Sequence, residues 1–272
     1  MLKYILIHKN VKWGLEMNKT IETIMNRSSL RGYKDEMISD EHLDLILESA
    51  MRAPTAGNMM MYSILVIKDK EKIKKLAKSC DDQPFIANAP VVLIFLADAS
   101  KWYKYYEING TREFLASRGE EFKEPKKSEL YLCLEDATIA AQNAVIAAES
   151  LGIGSCYIGD IIEKCEYHRE LLKLPKYVFP AAMITLGYYP GNNNKILRER
   201  FDKKYIVFNE EYKELSAEEI SEMYKNWDKR YNKMNKYNAE NFAQYHYKMK
   251  LNSDFSKEMD RSFKEILNEL SN

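Results

Sequence analysis

The run from Leu130 to Gly159, LYLCLEDATIAAQNAVIAAESLGIGSCYIG, constrains this chain more than any other stretch. No Pro or Gly falls between Leu130 and Leu151, and Ala137, Ala140, Ala141, Ala144, Ala147 and Ala148 favour helix strongly. Apolar residues lie on nearly every side, which predicts a buried helix rather than a surface one. Glu135, Asp136, Gln142, Asn143 and Glu149 interrupt the run, so it does not read as a membrane span, which needs about 20 mostly apolar residues. Its small side chains let another backbone come close, which predicts a crossing with a partner helix. Gly152 and Gly154 read as its stop, and Ser155–Gly159 as a short extended piece with an open backbone. An ordinary core helix with a glycine cap has the same local pattern.

Composition narrows the function classes. The 272 residues suit one large domain, or a domain with an appendage. Lys+Arg and Asp+Glu balance at 41 each, so no global field favours nucleic acid or a membrane surface. Cys80, Cys133, Cys156 and Cys165 form no CxxC pair, and the apolar run Tyr4–Ile7 is too short for a secretory core. These features predict reduced thiols in a cytoplasmic setting. His8, His42, His168 and His246 show no metal-ligand spacing.

In chain order, residues 1–17 fit poorly with the rest of the chain and read as an extension, with Met17 as an alternative start. Ile21, Ile24 and Met25 share one face of a short helix. Arg27-Ser28-Ser29-Leu30-Arg31 comes next, two rigid cationic forks and two hydroxyls suited to an anion, or a plain polar loop. Ser39 caps a helix with Leu43, Ile46, Leu47, Ala50 and Met51 inward. Ala53-Pro54-Thr55-Ala56-Gly57-Asn58 is a loop. Tyr62–Lys68, Pro90–Ala97 and Phe179–Gly187 read as strands, the last two buried on both faces. Lys70–Ser79 is a charged helix, and Ile161–Leu174 a short one. Residues 98–128 read as an irregular, Tyr-rich surface segment. Tyr205–Phe208 reads as a brief extended piece. Ser216 and Glu219 form a capping box before a stripe of Ile220, Met223, Tyr224, Trp227 and Tyr231. A last helix from Asp254 turns Phe255, Met259, Phe263, Ile266, Leu267 and Leu270 inward.

Four of these stretches, in this order, resemble the FMN-dependent nitroreductase family, in its larger NADPH-type flavin reductase branch. Arg27-Ser28-Ser29-Leu30-Arg31 is similar to that family's N-terminal phosphate motif, and Ala53-Pro54-Thr55-Ala56-Gly57-Asn58 to its A-P-(S/T)-x-x-N loop. Ala147 to Gly159 is similar to its A-A-E-S-L-G-L-G-x-x-Y-I-G run. Pro180 through Leu186-Gly187-Tyr188, then Arg198 and Arg200, is similar to its P-x-x-x-x-x-L-G-(Y/W) and K-P-R pattern. The match spans about Asn26 to Tyr212.

The resemblance implies an α+β fold: a mainly antiparallel central sheet wrapped by helices, in an intertwined homodimer with FMN at the interface. It implies an FMN-binding core over 18–212 and a C-terminal helical arm over 213–272, packed on the core or the second subunit. Arg27, Ser28, Ser29 and Arg31 are expected at the FMN phosphate and ribityl chain, with Arg198 and Arg200 closing on the phosphate. Gly152, Gly154, Tyr157, Ile158 and Gly159 are expected beside the flavin ring, and Thr55 and Asn58 near it from the other subunit. Met60 stands where relatives carry a Gln, and a thioether donates no hydrogen bond.

The implied activity is an NAD(P)H-dependent FMN oxidoreductase reducing nitroaromatics, quinones, azo compounds or flavins by a ping-pong route. The chemistry belongs to the cofactor, so no catalytic acid, base or nucleophile is named, and no metal. NADPH is expected to be the modestly preferred donor, through Arg230, Lys233 and Lys236. A specialised flavoenzyme of the same fold, dehalogenase-like or flavin-destroying, is the alternative. A nucleic-acid module using Lys229–Lys250 is a weaker one.

Overall fold

The computed structural model describes residues 18–191, 195–231 and 235–270. The expected extension over 1–17 therefore lies outside the described residues. In chain order the first half contains α1 (Lys19–Asn26), α2 (Asp40–Met51), β1 (Tyr62–Ile67), α3 (Lys70–Ser79), α4 (Pro84–Ala87) and β2 (Val91–Asp98). Then come α5 (Ser100–Ile108), α6 (Thr111–Ala116), α7 (Lys127–Ser150), β3 (Ile153–Ile158), α8 (Cys165–Leu172) and β4 (Val178–Tyr188). The C-terminal part holds α9 (Ala217–Arg230), α10 (Phe242–His246) and α11 (Asp254–Glu269).

The strands form one antiparallel sheet in the order β1-β2-β4-β3. The chain is thus an α+β protein with β1 and β3 at opposite edges. β2 is buried along its whole length, and its residues alternate between two cores. Val91, Leu93 and Phe95 face α2 and α7, while Val92, Ile94 and Leu96 face α3, α4 and α8. Each such fully buried side chain contributes about 1.5–3 kcal/mol. Pro180 offers no N–H to the ladder, and it sits where the register slips between Phe95 and Leu96, a bulge with Ala181 as the extra residue.

Local signals account for most helix ends. The Ser39 hydroxyl accepts from His42 N–H at 3.2 Å, and Ser216 and Glu219 cap α9 reciprocally. Helix α7 ends at Gly152, whose φ of +74° suits the left-handed residue after a helix. Gly154 is not part of that stop; it lies inside β3.

Helix α7 differs from its expected all-round burial. Ala137, Ala140, Ala141, Ala144 and Ala148 pack on the sheet and on α2, so the helix that crosses this alanine face closely is α2 of the same chain. The opposite stripe, Tyr131, Leu132, Glu135, Thr138, Ile139 and Gln142, is exposed in the single chain. Helix α1 packs on α7 and also exposes Ile21, Ile24 and Met25.

The segment expected to be irregular over 98–128 carries two helices, α5 and α6, and is non-helical from Ser117 to Lys126. Trp102, Tyr103 and Tyr106 form edge and tilted ring contacts that reach Phe122 and Tyr177, and this tertiary packing overrides weak local propensity. The piece expected to extend over Tyr205–Phe208 is instead preceded by a helical turn at Lys203–Tyr205. Helix α11 buries Ser262 and Ile266, with Leu270 buried just past its end, but leaves Phe263 exposed, and it packs on α8. Helix α9 has no buried residue; Trp227 stacks with Phe201 and meets Phe242 edge-on. No helix among the described residues is long and apolar enough to cross a membrane.

Candidate active site

At the outer edge of β3, two stretches distant in sequence are joined by main chain. Ser29 and Ser155 form a parallel bridge, and Leu30 N–H donates to the Ser155 carbonyl at 2.8 Å. The segment Arg27–Arg31 is thereby strapped along the edge strand. Alternation along a strand turns the N–H and C=O of Tyr157 to the same outer edge as those of Ser155. Ile158 buries its side chain in the core, so only its backbone is available to a ligand.

Gly154 makes the strap possible. A Cβ added there would lie 2.8 Å from Leu30 Cβ and 2.9 Å from Tyr189 Cζ. The close approach expected for a ligand at this glycine is taken by the chain's own side chains. Gly159, by contrast, has nothing within 4 Å of a Cβ position, so its backbone is open.

The electrostatics of this edge are set by the arginines. Burial pushes the Cys156 thiol up, opposed by Arg31, Ser29 and Arg27. Burial pushes the Tyr157 hydroxyl up to about 12, against the pull of Arg27. The Tyr189 hydroxyl is pushed up by burial and by Glu149, to which it donates at 2.8 Å; Arg27 and Ser28 act against the shift. Lys195 pairs with the same buried Glu149 carboxylate. Ser155 Oγ, buried beside the strap, has no hydrogen-bond partner among the described residues. An anion at this edge would therefore meet two guanidinium groups, two serine hydroxyls and an outward backbone N–H.

Arg198 and Arg200 follow β4 in the chain. Both are exposed, and neither makes a hydrogen bond or ion pair among the described residues. Glu199 between them accepts from Asn226 at 2.8 Å and pairs with Arg230 on α9. Arg230, expected to meet the extra phosphate of NADPH, is thus already engaged. Lys236 lies 4.9 Å from the Tyr237 ring centroid, and Lys233 is outside the described residues.

Thr55, Asn58 and Met60 lie at the other edge, on the loop that enters β1. Strand spacing sets the β1 and β3 axes roughly 14 Å apart, and α2 and α7 pack over the sheet between them. In this loop Gly57, Asn58 and Met60 all have left-handed backbones, with φ of 55°, 57° and 49°. Two side chains from elsewhere hold it, and neither was legible in the sequence. The Asp136 carboxylate on α7 accepts from Ala56 N–H at 2.9 Å and from Met61 N–H at 3.2 Å. Trp102 Nε1 donates to the Met59 carbonyl at 2.7 Å. The available signal was an acid set in an alanine-rich buried face; Asp136 is 2% exposed. Beside the loop opens a cavity of about 740 Å³, lined by Leu47, Met51, Met59, Met60, Trp102 and Tyr105. Tyr62 also lines it, and its buried hydroxyl has no hydrogen-bond partner among the described residues.

His42 on α2 and His168 on α8 have structural contacts. His42 Nδ1 lies 2.9 Å from the Tyr188 hydroxyl, and buried His168 Nε2 lies 2.7 Å from Ser79 Oγ.

Fold and site together define a class: an α+β protein with a helix-covered antiparallel sheet, an anion-suited basic strap on one edge and an apolar, methionine-lined cavity at the other. The chain belongs to the nitroreductase family, whose sequence profile matches residues 24–188. It is 34% identical over 178 residues to a Bacillus subtilis (strain 168) protein named FMN reductase (NADPH), covering 65% of this chain and 68% of that one. A second B. subtilis (strain 168) protein, named FMN reductase [NAD(P)H], is 31% identical over 214 residues, covering 75% and 78%. The solved structure of B. megaterium NfrA2 superposes with a TM-score of 0.73 at 29% identity, covering 90% of this chain and 98% of the other.

Proposed function

We propose that this chain is an FMN-dependent oxidoreductase that takes hydride from NADPH or NADH. In a second half-reaction it reduces a small aromatic or quinone-like acceptor, such as a nitroaromatic, quinone, azo compound or flavin. The observation that carries this reading is the strap itself: Arg27, Ser28, Ser29 and Arg31 paired onto β3 beside an open Gly159 backbone. A phosphate monoester needs several fixed cations and donors, each charge-assisted bond contributing about 1.5–3 kcal/mol. This edge supplies them, and the orphan Ser155 Oγ adds a buried polar atom next to it.

FMN, when bound, supplies the hydride and electron chemistry. The protein's part is position and environment. Arg27 and Arg31 would neutralise the phosphate, with Arg198 and Arg200 closing on it from the following segment. Tyr157 N–H would offer a donor along the edge, and Ile158 and Gly159 would contribute backbone. Thr55, Asn58 and Met60 face the opposite edge, so we read the complete site as built by two copies of the chain. The exposed apolar residues Ile21, Ile24, Met25, Tyr131, Leu132 and Ile139 on packed helices α1 and α7 supply a surface for that association. In this reading residues 18–212 are the core and 213–272 the arm, which reaches toward the second copy through α9.

The test is reconstitution with FMN followed by steady-state turnover of a quinone with NADPH. The expected result is a yellow dimer with parallel double-reciprocal plots. A colourless protein that leaves FMN fluorescence unchanged on titration contradicts the reading.

A further inference from the structure

We propose that Asp136 is a positioning residue for the ring-facing half of the site. It acts through the strained Thr55–Met60 loop without touching the ligand itself. The inference rests on the flavin reading above.

Three of the four residues from Gly57 to Met60 sit in the left-handed region. That region suits Gly, is tolerated by Asn, and is unfavourable for an unbranched chain such as Met60. Such a backbone persists only where its surroundings over-determine it. Here the fixing groups are few. Asp136 receives N–H groups on either side of the strained residues, from Ala56 and from Met61. Thr55 Oγ1 accepts from Met60 N–H at 3.2 Å, and Trp102 holds the Met59 carbonyl. Asp136 has both oxygens committed to this loop. Burial at 2% exposure removes water as a substitute partner.

The arrangement has a chemical consequence. With its backbone locked, the loop places Met59 and Met60 in the wall of the 740 Å³ cavity and leaves Asn58 exposed. A thioether has no directional donor to orient a ring, so the position of Met60 has to be imposed by its backbone. The carboxylate that imposes it comes from α7, the helix that runs directly into β3 and the phosphate strap. One rigid element thereby sets the geometry of both half-sites.

The test separates ring from phosphate by comparing FMN with riboflavin, which lacks the phosphate. Binding is titrated by flavin fluorescence in wild type, Asp136→Asn, Met60→Gly and the double variant, and visible circular dichroism of the bound flavin is recorded. Asp136→Asn should raise the Kd of both flavins by the same factor, roughly tenfold, and change the flavin dichroism. Gly adopts the left-handed backbone without penalty, so in the Met60→Gly background the same change should cost under about threefold. An unchanged Kd, a loss confined to FMN, or an equal loss in both backgrounds overturns the proposal. Should Asp136→Asn fail to fold, Trp102→Phe removes the indole N–H that holds the same loop, along with part of the ring, and should weaken both flavins equally; a loss for FMN alone overturns the proposal. Wild-type protein that binds neither flavin overturns the functional reading and this inference with it. Wild-type binding with insensitive variants overturns the inference alone.

Discussion

At the β3 edge the Arg27–Arg31 segment is positioned by main-chain pairing, with Gly154 clearing space for Leu30. At the β1 edge the Thr55–Met60 loop is positioned by one buried carboxylate and one indole against an unfavourable backbone. Pairing of the first kind is indifferent to most side chains, so the strap's arginines and serines are free to serve a ligand. The second kind commits side chains from α7 and α5 to holding shape. Substitutions should therefore divide: at the strap's arginines and serines they change affinity and spare the fold, while at the loop they change both.

The comparison is tested most severely from α7, which both edges share. Ala144 faces the sheet with no exposure, so Ala144→Glu would bury an unpaired charge and cost about 3–5 kcal/mol in denaturant unfolding. Ile139→Asp, on the exposed stripe, should instead leave the fold intact and give a monomer with little flavin in light scattering. A stable, dimeric Ala144→Glu protein would move the alanine face from the core to the interface.

Gly154→Ala strikes the strap alone. The added methyl overlaps Leu30 and Tyr189, and relief by backbone shift costs about 1–3 kcal/mol. FMN affinity should fall with stability, while the amides of Ala56 and Met61 keep their hydrogen-exchange protection. Lost protection at those amides would show the two edges to be coupled.

Arg200→Ala is gentler on the fold, since that side chain is exposed. It should weaken FMN by about tenfold to a hundredfold, the value of one charge-assisted bond, and leave riboflavin unchanged. Unchanged FMN affinity in fluorescence titration would remove Arg200 from the phosphate site and leave the strap to act alone.

The smallest effect is expected from Glu163, just past Gly159 on the strap side. Burial, then the neighbouring Asp160, raises its carboxyl from 4.5 to about 7, with Lys164 opposing. Between those values the folded chain holds a proton that the unfolded chain has lost. Stability is therefore lost as pH rises through that window. Wild type should lose more thermal stability between pH 5 and pH 8 than Glu163→Gln does; equal losses in both would show that Glu163 carries no such linkage.

What the chain's order of residues settled was local. Helix α7, three of the four strands and the Ser216–Glu219 box were legible because their signals span neighbouring residues: alanine content, β-branched runs, a hydroxyl three places before an acid. The Arg27–Arg31 and Thr55–Asn58 stretches were legible as motifs, although nothing in them says which edge of a sheet each will occupy. That was decided by the strand order β1-β2-β4-β3, which sets the two at opposite sides. The direction of the alanine face, the helices within 98–128 and the role of Asp136 were likewise decided by packing. Each depends on partners distant in sequence, such as Ala56, 80 residues from Asp136, or Met59, 43 residues from Trp102. No pattern of near neighbours encodes such a pairing; it exists only once burial has removed water and left one partner in reach.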